Sequence, residues 1–77
     1  MSQKAIIVHS ADTRSPIAIG TDRFVQAYVN DMGMNCIVFE DSSLSTENEE
    51  ISIVIEDLTI EIMESPETVA SYLNALS

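Results

Sequence analysis

The sequence predicts a small α+β domain. Three observations carry that expectation: a β-branched run near the N-terminus, two apolar stripes at helical spacing, and a pair of alternating isoleucine series between them. The expected order is β-α-β-β-β-α, a two-layer domain with a sheet of about four strands and two helices packed on one face, spanning residues 1–77 as a single unit.

Ala5-Ile6-Ile7-Val8-His9 is bounded by the turn-rich segment Ser10 to Pro16, which marks a buried strand ending near His9. Ser15 to Gly20 reads as a loop. After Gly20, Thr21 or Asp22 offers a helix cap, and Phe24, Val25, Tyr28, Val29 and Met32 share one helical stripe before Gly33, so a first helix is expected there. Met34 to Phe39 is the second strand. Asp41 to Asn48 lacks apolar periodicity and is expected as a solvated loop.

Ile51, Ile53 and Ile55 alternate with other residues, and so do Leu58, Ile60 and Ile62, but the two series differ in parity. A single strand would put Asp57 and Glu61 on the isoleucine face. A two-residue reversal at Glu56-Asp57 restores one apolar face by pairing Ile55 with Leu58 and Ile53 with Ile60, and it is the expected arrangement. Glu-Asp suits a tight turn poorly, which leaves a kinked or bulged strand as the alternative. Both helices would then cover the isoleucines, and Ser52, Val54, Thr59, Glu61 and Met63 would face outward. Ser65, Pro66 and Glu67 supply an N-cap, a first-turn proline and a favourable acid for a closing helix with Val69, Ala70, Leu73 and Leu76 on its apolar stripe.

Charge is the main functional signal. Residues 1–39 hold three bases and three acids, whereas residues 40–77 hold ten acids and no base, for a net charge of −10. Such a half has no counter-charge near it in sequence. The acids Glu40, Asp41, Glu47, Glu49, Glu50, Glu56, Asp57, Glu61 and Glu64 are therefore the candidate partner-binding residues. Side chains two apart on a strand project ~6.6–6.8 Å apart on one face, comparable to the spacing of backbone phosphates, so carboxylates on the expected hairpin could stand in for them. The expected partner is a basic nucleic-acid-binding protein or complex, with fast and salt-sensitive association. Direct nucleic-acid binding is not expected of so acidic a chain.

Catalytic, cofactor and metal signals are weak. His9, with Ser10, Asp12 and Ser15 nearby in sequence, is the place an enzyme reading would start, but no nucleophile elbow or catalytic spacing accompanies it. The loop at Ser15–Gly20 lacks both phosphate-binding glycine patterns. Glu40 to Glu50 supplies hard oxygens without the EF-hand register. No enzyme activity, no cofactor and no specific metal site is expected. The single cysteine, Cys36, sits in an apolar run and reads as a buried hydrophobe in a reducing, cytoplasmic setting, and no membrane span is expected.

In size, acidity and lack of catalytic residues, the chain resembles the small inhibitors that mobile elements encode against host nucleic-acid machinery, such as phage anti-CRISPR proteins and DNA mimics. The resemblance is one of profile, without a family motif, and it implies a non-enzymatic inhibitor acting through a negative surface. The alternative is a self-associating structural or interaction module whose acidity serves solubility only. A homodimer fits either reading.

Overall fold

The computed structural model describes residues 4–76, and the order of elements is β1 (Ala5–His9), β2 (Pro16–Gly20), β3 (Phe24–Val29), β4 (Asn35–Glu47), β5 (Glu50–Glu61) and α1 (Pro66–Leu76). Among the described residues the chain is mostly β with one helix. The expected four-stranded sheet under two helices is not formed: β1 and β2 make a two-stranded antiparallel sheet, and β3, β4 and β5 make a three-stranded antiparallel sheet in that order. The sheets meet where Ser10 bridges Ile62, where the Ala11 amide donates to the Glu61 carbonyl, and where the Met63 amide donates to the His9 carbonyl.

The first strand is where the sequence places it. The segment expected as a loop before a helix is instead β2, whose Ile17 and Ile19 pair with Val8 and Ile6 across an antiparallel ladder. Arg14, at φ 63°, sits in the left-handed region in the connecting turn.

The expected first helix is strand β3: of the stripe Phe24, Val25, Tyr28, Val29 and Met32, only Phe24 packs against the core, and the other four stand exposed, with a bulge at Val25. Phe24 pairs with Phe39 but Gln26 pairs with Val38, so Val25 is an extra residue in the ladder. The inward side chains Phe24 and Ala27 are consequently three apart. Phe, Val and Tyr also favour strands, and the Asn30 carboxamide closes the next turn by accepting from the Met32 and Met34 amides, each at 3.0 Å. Gly33, at φ 80°, completes that reversal.

The reversal expected at Glu56-Asp57 is at Asn48-Glu49. Glu47 pairs with Glu50, and the two loop residues have φ 53° and 67°, both left-handed as a primed hairpin turn requires. Asn48 accepts that conformation readily, whereas Glu49 does so at a cost. The stretch expected as a solvated loop is therefore the distal half of β4. Beyond Phe39 the strand has no β3 neighbour, and β4 and β5 run on together as a two-stranded arm of residues 41–56. The radius of gyration, 14.4 Å, exceeds the ~11–12 Å of a compact chain of this length, consistent with a projecting arm.

The core gathers Ile6, Val8, Ile19, Ile37, Ile62 and Val69, with Phe24, Phe39, Ile60, Leu73 and Leu76 packed against it. Helix α1 begins as its sequence indicates. The Ser65 hydroxyl accepts from the Thr68 amide at 3.2 Å, its carbonyl accepts from the Val69 amide at 3.0 Å, and Val69 is fully buried. At the other end, the Lys4 ammonium donates to the Leu76 carbonyl, placing a cation at the helix C-terminus.

Candidate functional site

Register sorts the side chains of the arm, because residues directly opposite in an antiparallel pair share a face. One face of β4–β5 carries Ile37 with Ile60 and Phe39 with Leu58 in the body, then Asp41 with Glu56, Ser43 with Val54, Ser45 with Ser52 and Glu47 with Glu50 towards the tip. The opposite face carries Cys36 with Glu61, Val38 with Thr59 and Glu40 with Asp57, then Ser42 with Ile55, Leu44 with Ile53 and Thr46 with Ile51. The change of parity noticed in the sequence is real, but it is not a turn. One continuous strand moves its apolar residues from the inward face in the body to the opposite face in the arm.

Of the candidate acids, six form three cross-strand pairs: Glu47–Glu50 at the tip, Asp41–Glu56 on the same face, and Glu40–Asp57 on the other. Glu49 occupies the turn and Glu61 stands opposite Cys36. None of the strand acids stands two residues from another along its own strand, so the phosphate-spaced row expected from the sequence does not form. The tip pair and the Asp41–Glu56 pair are six residues apart, ~20 Å along the arm.

Glu64 is withdrawn from this surface. Its carboxylate accepts from the His9 amide at 2.9 Å and meets the His9 ring Nδ1 at 2.7 Å, and its side chain is only 10% exposed. Burial pushes the Glu64 carboxyl up, but the ring and backbone hydrogen bonds from His9 outweigh it, and the net shift is downward. An ionised carboxylate can only accept, so Nδ1 carries the hydrogen in this pair. His9 closes one end of a shallow apolar groove of about 420 Å³ between β1 and α1, beside Ile7, Tyr72 and Leu76. The pair ties the end of β1 to the segment that leads into α1.

The acidic half also has cationic neighbours that the sequence hides. Arg23 and Lys4 line a groove of about 340 Å³ together with Glu40 and Asp41, because the Glu40 amide donates to the Arg23 carbonyl and brings the start of β3 to the arm's base. Among the described residues, none of the arm's carboxylates lies within ion-pair distance of a base. Towards the tip they face solvent alone.

The expected cover over the isoleucines is missing. Leu44 and Ile51 are each 74% exposed, Ile53 69% and Ile55 65%, whereas Val54, expected outward, is partly buried. Leu44 was legible only through the mirror relation about Asn48-Glu49, in which acid faces acid, serine faces serine and aliphatic faces aliphatic. Cys36 is buried as expected, in contact with the Asn30 carboxamide at 3.5 Å. Among the described residues, no group of three or more His, Cys, Asp or Glu side chains is placed to hold a metal ion, and no helix is long and apolar enough to cross a membrane.

No family model, curated protein or solved structure matches the chain.

Proposed function

We propose that the protein is a small non-enzymatic binding protein that engages the basic surface of a nucleic-acid-binding protein or complex through the acids of its β4–β5 arm, and inhibits that partner by occupying its nucleic-acid groove. The observation that supports this reading is the set of three like-charge pairs placed directly across the ladder, Glu47–Glu50, Asp41–Glu56 and Glu40–Asp57. Like charges in that position destabilise a hairpin by up to about 1 kcal/mol per pair, and a cationic partner offsets the cost. Inhibitors of the anti-CRISPR or DNA-mimic kind from phage and other mobile elements are the form of this activity that the chain's profile resembles. Here the carboxylates stand in pairs and not at phosphate intervals, so the contact we propose is a charged patch and not a copy of a nucleic-acid backbone. The cytoplasm, reducing enough to keep Cys36 a free thiol, is the compartment we assign to it.

The test is capture from a soluble lysate on the immobilised protein, with elution by rising NaCl and identification of what elutes. A nucleic-acid-binding protein that is released as salt rises, and that the variant Asp41→Lys/Glu47→Lys/Glu56→Lys fails to capture, is the expected result. Equal capture by the charge-reversed variant overturns the reading, as does a set of captured proteins indifferent to salt.

A further inference from the structure

The face of the arm opposite Asp41–Glu56 has a property that acidity does not explain. Leu44, Ile51, Ile53 and Ile55 form a continuous aliphatic row there, joined by the small side chains Ser42 and Thr46, and no charged residue interrupts it between the turn and the Glu40–Asp57 pair. At their 65–74% exposures, these four side chains present on the order of 500 Å², near the upper end of the ~300–600 Å² typical of the largest apolar patch on a monomer. A ribbon of two strands with such a face is marginal in water by itself.

We propose that this face is a homodimer interface, in which two copies pack arm against arm, sheet face on sheet face. Three features select a second copy as the occupant. Two such rows bury on the order of 1,000 Å² in total when packed together, the area at which a specific interface begins. The face is also the one part of the arm that two chains of net charge −10 can bring together, since Asp41, Glu47, Glu50 and Glu56 project from the other side and stay in solvent. Finally, the bulk is unequally divided: β5 supplies Ile51, Ile53 and Ile55, while β4 supplies Leu44 between Ser42 and Thr46. A two-fold axis parallel to the strands lays the bulky row of each copy over the slighter row of the other, as an isologous interface requires, with the sheets ~10 Å apart, and it brings the two Glu40–Asp57 pairs near one another at the base of the arms, a repulsion that salt screens. The dimer turns the acidic faces of both arms outward.

Sedimentation equilibrium of the full chain tests this, and the salt trend separates it from the acidic-partner reading. Raising NaCl from about 0.1 to about 1 M shortens the screening length from ~10 to ~3 Å, which relieves repulsion between the copies. The expected result is a particle of twice the 8.5 kDa chain mass at micromolar concentrations, whose dissociation constant falls several-fold over that range. The variant Ile53→Thr/Ile55→Thr, which keeps strand-forming residues, is expected to be monomeric with an unchanged circular dichroism spectrum. Three results overturn the proposal: a wild-type monomer at every concentration and salt, a dimer that loosens as salt rises, or a double variant that dimerises as tightly as wild type. The wild-type salt series stands even if the variant arm fails to form. A monomer that still captures a basic target in a salt-sensitive manner refutes the dimer and leaves the acidic-partner reading intact.

Discussion

Replacing Glu64 probes the clasp between β1 and the approach to α1. In Glu64→Ala the His9 amide loses an acceptor at 2.9 Å and the ring loses one at 2.7 Å. Hydrogen bonds to a charged group contribute ~1.5–3 kcal/mol each where they are desolvated, but the His9 side chain is 44% exposed and its ring can turn to water, so only the amide bond counts in full. The expected loss is about 2 kcal/mol, which for a domain of this size lowers Tm by roughly 8–16 °C. Glu64→Gln is milder, about 1 kcal/mol, because the amide oxygen still accepts from the His9 N–H and its NH₂ can donate to an unprotonated Nδ1. The pH dependence has a definite sign. With its folded value below the ordinary 4.5, Glu64 contributes stability that is fully present above that value and lost as pH falls through the lower folded one. Acidification also relieves repulsion among the many other carboxylates, so the informative quantity is the difference between wild type and Glu64→Gln. Urea titrations followed by circular dichroism, at about pH 6 and at steps below 4.5, should show that difference shrinking with acid. A Glu64→Ala loss under ~0.5 kcal/mol, or a wild-type advantage over Glu64→Gln that persists or grows at low pH, would refute this account.

Other perturbations address the arm and the core. Glu49→Gly creates an Asn-Gly primed turn at a position with φ 67° and should stabilise the arm by about 1 kcal/mol, seen as roughly fivefold slower amide exchange in residues 43–54; unchanged or faster exchange would count against the turn assignment. Asp41→Lys turns the pair with Glu56 into an ion pair and should add a few tenths to ~1 kcal/mol at low salt, an effect that high salt removes in thermal melts. Ile37→Ala empties a fully buried position beside Ile62 and Val69, costs ~2–5 kcal/mol, and should leave little native signal at 37 °C by near-ultraviolet circular dichroism.

The sequence by itself determined β1, α1 with its Ser65 cap, the burial of Cys36, and the concentration of charge in the second half. These depend on local signals: a short β-branched run, a capping residue with proline behind it, a cysteine among aliphatics. It also recorded the switch of parity near Glu56-Asp57. What it could not say is whether that switch marks a turn or a strand passing from a covered body to an uncovered arm, because both give the same alternation and differ only in which residues lie across the ladder. The mirror relation about Asn48-Glu49 held that information, but Asp41 to Glu47 is too polar to announce a strand. Likewise, the Phe24 stripe looked helical because Val25, Tyr28, Val29 and Met32 happen to fall at helical spacing, although all four stand exposed on or just after a strand. Tertiary structure alone decided which acids face each other, that Glu64 is committed to His9, that Lys4 and Arg23 reach the base of the acidic arm, and that the isoleucines stand in solvent. Each of these follows from strand pairing between residues distant along the chain, which local propensity does not encode.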